Sequence, residues 1–487
     1  MKLYGLSNIT YELDASDPRS VKVNGESQVY LQVKGIPRAV AKVYIPANVD
    51  MAEKEEKLKY MLYHPLDPSM LPYVAWPKDL LYDKSGSFKG FAMEKVASAV
   101  DLSDLYAYPP GRFANITLGM KLTIAKNICR VVDALLERGY LLSDFNPNNI
   151  KVDPRRGTVY ILDIDSCQFY DASTGRTYRC IVGFPGCIAP ELLEIADHYG
   201  GDAYARAPLP TFTPGTDAFA LAIHIFRLTM NGYTPFNGIL KSQDSISGNP
   251  GLGDDAVKKD SFCFKPGYQP LAVAVPALSE VPPSVAALFF KSFVEGRIDP
   301  HKRASAAEWI SVLNEYQSSL VCCPANSNHE YYSALPSCPW CAADKRYENL
   351  TGKKVSCGKP VPKRQTPAAT AQKQVIQTIH GIATARARQR PVASVRAGGG
   401  VLAKNAVATT AQRAFATIAG SPQGTSVGSI YRGAGGYSQA ATSILAQPPL
   451  IKPLFSSSKI SSAMVTVRNK AALFFKNLWK RIKGYFV

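Results

Sequence analysis

Residues 139–165 read GYLLSDFNPNNIKVDPRRGTVYILDID. Asp144 is followed five residues later by Asn149, and Asp163 comes after a short strand–turn–strand. One Asp or Asn in such a place is ordinarily a turn residue. Three together, with Pro147 between the first two and apolar residues at alternate positions in Ile150–Ile161, describe a fixed polar constellation on a hairpin scaffold.

The spacing resembles two protein-kinase motifs, the catalytic loop H-R-D-L-x-x-x-N and the metal-binding turn D-F-G. Here the same slots read Leu142-Ser143-Asp144-Phe145, then Asn149, then Asp163-Ile164-Asp165. Phosphoryl transfer needs one carboxylate to receive the substrate hydroxyl proton, and a carboxamide and a second carboxylate to hold magnesium on the ATP phosphates. The resemblance therefore implies Asp144 as catalytic base and Asn149 and Asp163 as magnesium ligands. Asp165 is a further candidate metal contact.

Working back from this stretch, the first hundred residues predict a small, mostly β lobe. Val29–Val33 and Ala39–Tyr44 alternate as strands do, with Lys34-Gly35-Ile36-Pro37 as a turn between them. Asn24-Gly25-Glu26-Ser27 stands where kinases place the glycine-rich loop, so Gly25 and Val29 are expected at the nucleotide. Lys42 lies in Ala41-Lys42-Val43, matching the Ala-x-Lys strand whose lysine pairs with the α- and β-phosphates. A strand lysine is most often a solvated edge charge; this one stands in an otherwise apolar strand. A helix follows over about 51–63, with Leu58, Met61 and Leu62 on its apolar face. Glu55, three residues before Leu58, is expected to pair with Lys42, with Glu56 as runner-up. The neighbouring Lys and Glu residues read as a solvated face. Phe91–Val96 reads as the last strand and the hinge; kinases bind adenine against this backbone, so the resemblance implies Met93 at the back of the pocket and Glu94 and Val96 against the adenine.

Working forward, Leu118 to Arg138 has helical periodicity and stops before Gly139. Ala189-Pro190-Glu191 matches the A-P-E that closes a kinase activation segment. Thr216-Asp217-Ala218-Phe219 onward resembles the central buried helix of kinases. Asp299-Pro300-His301-Lys302-Arg303 resembles their closing motif, which implies a structural Glu191–Arg303 ion pair.

Cys322, Cys323, His329 and Cys338-Pro339-Trp340-Cys341 have the spacing of a zinc knuckle. A closed Cys3His site of this kind is structural. The spacing does not choose between Cys322 and Cys323; Cys323 is six residues before His329 and precedes Pro324, a common arrangement in knuckles.

The charge is unevenly placed. No Asp or Glu occurs after Glu348, where 21 Lys and Arg lie. Residues 1–348 carry 35 basic and 38 acidic residues, a net of −3, so the tail accounts for the overall +18. Residues 349–462 are rich in Ala, Gly, Ser, Thr, Gln and Pro, a composition that buries too little surface to fold alone. The last segment, 463–487, places Met464, Val467, Ala471, Phe474, Leu478 and Ile482 on one helical stripe, with Arg468, Lys476, Lys480, Arg481 and Lys483 around it. Such a basic amphipathic helix suits an anionic membrane or a partner groove. Docking on the protein's own surface fits the pattern equally well, and nucleic acid is a third candidate for a tail free of acidic residues. No apolar run reaches the roughly 18 residues of a spanning helix, and the N-terminus lacks a signal-peptide layout. The expected location is cytoplasmic, with peripheral contact at the inner face of the membrane if the tail binds lipid.

The sequence resembles the bacterial YegI-like Ser/Thr protein kinases over about residues 20–345. The carriers are Ala41-Lys42-Val43-Tyr44, Lys57-Leu58-Lys59-Tyr60-Met61, Ala75-Trp76-Pro77, Gly90-Phe91-Ala92-Met93, Ser143–Asn149 and Asp163-Ile164-Asp165-Ser166. The resemblance implies ATP- and Mg2+-dependent phosphorylation of Ser or Thr, a structural Zn2+, and protein partners that include a protein phosphatase and a von Willebrand A-domain protein. The family's Asn in place of the catalytic-loop lysine is matched by Asn146, and its D-x-D by 163–165. Its G-G-E-G loop is not matched by Asn24-Gly25-Glu26-Ser27, and Ser143 replaces the Arg that reads a phosphorylated activation loop. A pseudokinase, using the fold as a switch or scaffold, is the competing reading.

The expected architecture is α+β and bilobal. A β-rich N-lobe spans 1–97 and a helical C-lobe 98–318, followed by a zinc-ribbon-like module over 319–348. A disordered basic linker over 349–462 and the amphipathic helix over 463–487 complete the chain.

Overall fold

The computed structural model describes residues 1–96, 99–242, 249–272 and 274–355. The expected basic linker beyond residue 355 and the expected amphipathic helix over 463–487 lie outside the described residues. All described residues belong to one compact unit.

The N-lobe is one antiparallel sheet of β1 (Lys2–Gly5), β2 (Thr10–Leu13), β3 (Val21–Val23), β4 (Ser27–Tyr30), β5 (Val33–Lys34), β6 (Ala39–Tyr44), β7 (Pro77–Tyr82) and β8 (Phe88–Glu94). Its order is β3-β4-β6-β8-β7-β1-β2-β5. Strand β5 follows β4 closely in sequence yet pairs with β2 at the far end, so the sheet must curl. The curl encloses a small core of Leu3, Tyr11, Leu13, Ala41, Val43 and Leu81 among others. Strand periodicity then decides what faces outward: Ala41 and Val43 point into the curl, whereas Lys42 and Tyr44 point to the other side. Strand β6 is buried along its whole length. Gly90 on β8 permits this packing, because a Cβ there would lie 2.0 Å from the Lys42 carbonyl oxygen.

Helix α1 (Met51–Tyr63) crosses that outer side. Asp50 caps it, accepting from the amides of Ala52 and Glu53 at 3.0 Å each. The Trp76 indole donates to the Met61 carbonyl at 3.1 Å, which ties the helix end to the sheet.

The C-lobe carries short pairings of β9 (Val100–Asp101), β10 (Tyr140–Leu141), β11 (Ile150–Asp153), β12 (Thr158–Ile161), β13 (Gln168–Asp171), β14 (Arg176–Tyr178), β15 (Gly238–Leu240) and β16 (Tyr268–Pro270). Its helices are α2 (Leu118–Glu137), α3 (Pro190–Tyr199), α4 (Ala203–Arg206), α5 (Pro214–Thr229), α6 (Asp254–Lys258), α7 (Pro283–Phe290), α8 (Gly296–Ile298) and α9 (Ala306–Ser318). Helix α5 is buried on nearly every side. It starts at a Thr213–Thr216 capping box with Pro214 in its first turn. Arg303 is fully buried and grips both Glu191 oxygens, at 2.6 and 2.7 Å. It also donates to the carbonyls of Gly215 and Gly296, so one guanidinium joins α3, α5 and α8.

The final piece is a hairpin of β17 (Leu320–Cys322) and β18 (Glu330–Tyr332) followed by α10 (Pro339–Thr351). It packs on the start of α2: a Glu330 carboxylate oxygen accepts from the Gly119 amide at 2.7 Å. No helix among the described residues is long and apolar enough to cross a membrane.

Candidate active site

The cleft between the lobes is set by three scaffolds. The first is β6, which aims Lys42 outward from the curl. The second is the loop from Leu142 to Asn149, which sits on α5. The Asp217 carboxylate accepts from the amides of Leu142 at 2.7 Å and Ser143 at 2.9 Å. Burial pushes this carboxyl up to about 7, against the two amide bonds that favour its charged form. Two turns further along α5, His224 Nε2 lies 2.9 Å from the Phe145 carbonyl and Nδ1 2.8 Å from the Tyr106 hydroxyl. A carbonyl can only accept, so Nε2 carries the proton and Nδ1 accepts from Tyr106. Burial drives the His224 pKa down to about 3, which keeps the ring neutral in this role. The third scaffold is the turn at 163–165, where Asp163 adopts a left-handed conformation (φ 57°).

Asp144 is half-buried. Burial, reinforced by the nearby Asp163 charge, pushes its carboxyl up to about 6. The Asn149 amide nitrogen is 3.4 Å from an Asp144 oxygen. Lys42 Nζ is ion-paired with Asp163 and sits 2.7 and 2.9 Å from the two Asp165 oxygens. Burial opposes the Lys42 charge, but Asp165 and Asp163 outweigh it and raise the pKa. Burial also opposes the Asp165 charge, and Lys42 and Lys54 hold this carboxyl well below the usual range. Asp163 is the accessible member of the pair, with its side chain 32 % exposed against 1 % for Asp165. The oxygens offered by Asn149 and Asp163 are the hard donors a magnesium ion takes.

The expected Lys42–Glu55 pair is not formed. Glu55 accepts from the Tyr82 hydroxyl at 2.9 Å and pairs with Lys59 at 2.6 Å, on the flank of α1 facing β7. The runner-up, Glu56, pairs with Arg176. The inward stripe of α1 is Lys54, Lys57, Leu58 and Met61, so the stripe begins on lysines that read as a solvated face. Lys57 is 4 % exposed, and Lys54 Nζ lies 3.0 Å from Glu26 and 3.7 Å from Asp165.

At the cleft's roof, Asn24 Oδ1 accepts from the amides of Glu26 at 3.0 Å and Ser27 at 2.7 Å. The Gly25 carbonyl accepts from Asn48 at 2.6 Å. Val29 is in register with Lys42 on the neighbouring strand. Glu94 ends β8 and holds Arg38 and Lys78 with its carboxylate. Val96 is half-buried just beyond it. Asn146 uses its side-chain oxygen to accept from the Asn148 amide at 2.9 Å, shaping the loop from within.

A second constellation lies in the terminal module. One donor atom from each of Cys323, His329, Cys338 and Cys341 falls within 4.8 Å of all the others. The Cys323 and Cys341 sulfurs are 3.6 Å apart, and His329 Nδ1 is 3.5 Å from Cys341 and 3.7 Å from Cys338. Zinc–sulfur bonds of about 2.3 Å in a tetrahedron put sulfurs roughly 3.8 Å apart, so the set fits. Cys322 is exposed and Cys323 buried, which decides the choice the spacing left open. His329 Nε2 lies 3.4 Å from Asp344, whose other oxygen accepts from Tyr108 at 2.6 Å.

His224 and Asp344 were not singled out in the sequence. His224 is seven residues after Asp217, two turns along one helix face, and Asp344 is one turn after Cys341; those spacings were the available signals.

No family model and no curated protein matches this sequence. Solved structures similar to it include a rhoptry kinase from Toxoplasma gondii, at 13 % identity, covering 63 % of this chain and 79 % of that one, with a TM-score of 0.38. Another is the Cydia pomonella granulovirus kinase PK-1, at 13 % identity, covering 62 % and 93 %, with a TM-score of 0.40. The chain's own topology defines the class. An antiparallel N-lobe with a crossing helix, a strand lysine paired to a carboxylate turn, a loop hung on an aspartate of the central helix, and a buried Arg303 clamped on Glu191 make a bilobal, protein-kinase-like fold.

Proposed function

We propose that the protein is an ATP- and Mg2+-dependent protein kinase acting on Ser or Thr. The observation that carries the reading is the meeting of Lys42, from the N-lobe strand, with Asp163, from the C-lobe turn, beside Asp144. Magnesium-bound ATP supplies the electrophilic γ-phosphorus and neutralises charge on the phosphates. Lys42 binds the α- and β-phosphates, Asn149 and Asp163 hold the metal, and Asp144 receives the hydroxyl proton. Gly25, Val29 and the backbone at Glu94 and Val96 line the nucleotide site. The module at 323–341 holds one structural Zn2+ through Cys323, His329, Cys338 and Cys341. The YegI-like resemblance extends this to bacterial signalling in the cytoplasm, with a protein phosphatase and a von Willebrand A-domain protein as partners.

One observation favours a pseudokinase instead. The amides of Glu26 and Ser27, which a glycine-rich loop would turn to the phosphates, already donate to Asn24. Purified protein with labelled ATP, magnesium and a mixed protein substrate separates the readings. The kinase transfers label, and Asp144→Ala lowers the rate at least a hundredfold. Nucleotide binding with transfer equal in wild type and Asp144→Ala supports the scaffold.

A further inference from the structure

A phosphate-binding lysine needs a carboxylate to fix its amine, and helix α1 supplies none. Its two inward polar positions are both lysines, Lys54 and Lys57, and Glu55 is engaged with Tyr82 and Lys59 on the flank. We propose that Asp165, the last residue of the D-I-D turn, is the positioning residue for Lys42. Helix α1 joins the same carboxylate through a cation, Lys54, in place of an acid. The inference rests on the kinase reading for what Lys42 does, but the pair itself is independent of it.

The two aspartates of the turn are divided by their surroundings. The Asp163 side chain is partly exposed. Asp165 is 1 % exposed, and both its oxygens are occupied. Lys42 Nζ bridges them at 2.7 and 2.9 Å, and the Tyr44 hydroxyl donates to one at 2.6 Å. Lys54 Nζ approaches that same oxygen to 3.7 Å, and both ammonium groups lie near the Tyr44 ring, 5.8 and 5.2 Å from its centroid. A carboxylate saturated in this way is poorly placed to ligate a metal, so Asp165 acts on Lys42 and not on magnesium. Because the pair joins β6 to the turn, outward movement of α1 leaves Lys42 held. Such movement would instead break the Lys54–Glu26 contact to the loop over the phosphates.

Three measurements test this. Thermal unfolding of Lys42→Met, Asp165→Asn and the double variant should be strongly non-additive, whereas Lys42→Met with Glu55→Gln should add. Binding of a fluorescent ATP analogue should weaken at least tenfold in Asp165→Asn, both with magnesium and in its absence, because a positioning role does not depend on the metal. Glu55→Gln should keep nucleotide affinity, KM and kcat within about threefold of wild type. Additivity of Lys42→Met and Asp165→Asn overturns the pair. A defect of Asp165→Asn seen only with magnesium, and relieved by raising it, makes Asp165 a metal ligand and overturns the positioning role. A tenfold loss in Glu55→Gln overturns the replacement, even if the Asp165 variants fail to fold. A non-additive Lys42–Asp165 cycle in a wild type that transfers no phosphate leaves the pair standing and removes the kinase reading.

Discussion

Asp144 can accept a proton only when ionised, and its surroundings make ionisation harder. With the carboxyl pushed up to about 6 by burial and by Asp163, the ionised form that the proposed base role requires is lost as pH falls through that value. A pH–rate profile for kcat/KM is expected to drop about tenfold per unit below roughly pH 6. A profile flat down to pH 4.5 would remove Asp144 from the base role. Asp217 holds the loop that carries Asp144. Its two bonds hold the amides of Leu142 and Ser143 in a buried site. Asp217→Ala leaves both donors unsatisfied, at about 1–3 kcal/mol each. Chemical denaturation should show a loss of roughly 2–6 kcal/mol, with phosphate transfer falling further than stability alone explains. What the sequence made legible was the grouping: Lys42 meets Asp163, and Asp144 lies beside Asn149 and near Asp163, because the proposed chemistry calls for a base, two oxygen ligands and a cation at one place. The partner of Lys42 was not, because a carboxylate two residues from Asp163 looks like a second metal ligand until its burial is known. Glu55 failed for the complementary reason. Three residues before Leu58 is compatible with the buried face, but the stripe runs one residue earlier, through Lys54.

At the scale of elements, strand β6 and helices α1 and α2 fall where periodicity put them. Ala39–Tyr44 and Met51–Tyr63 match their expected bounds, and α2 ends at Glu137, one residue before the expected stop. The strand expected at 29–33 breaks instead into β4 and β5, because the chain turns there to join the other edge of the sheet. The strands before residue 20 left little pattern. Four-residue strands such as Lys2–Gly5 are too short to show an alternation, and what secures them is a long-range contact. The buried Asp79 on β7 accepts from the Ser7 amide at 3.1 Å and the Tyr11 hydroxyl at 3.0 Å. The Arg303–Glu191 clamp is an element-scale device. Glu191→Ala strands a fully buried guanidinium, and the expected cost is about 3 kcal/mol. That is the low end for a buried pair, because the Glu191 side chain is 30 % exposed and water can take part of its place. Gly90→Ala should be at least as disruptive, since its Cβ would meet the Lys42 carbonyl. Urea denaturation of both variants checks these costs.

At the scale of the whole molecule, the chain joins a kinase-like unit, a Cys/His module and a strongly basic tail. The module is built into the C-lobe by Glu330 at the start of α2 and by Tyr108 on Asp344. Replacing Cys338 and Cys341 with Ser should therefore abolish zinc by elemental analysis and lower the melting temperature of the kinase unit. Zinc-free wild type of unchanged stability would contradict this. For the tail, vesicle co-sedimentation should pellet the full chain with anionic lipid and leave residues 1–348 in solution. Each Lys or Arg near the surface contributes about 1 kcal/mol, weakened by salt. The measurement that bears most directly on the molecule as a kinase is transfer of the labelled γ-phosphate of ATP to protein by wild type and Asp163→Asn, with and without magnesium. Asp163 and Asp165 both meet the lysine of β6, and Asp163 is the more exposed of the two. Magnesium-dependent incorporation on Ser or Thr is expected from wild type, reduced at least a hundredfold in Asp163→Asn at unchanged melting temperature. Equal incorporation by the two proteins would contradict it.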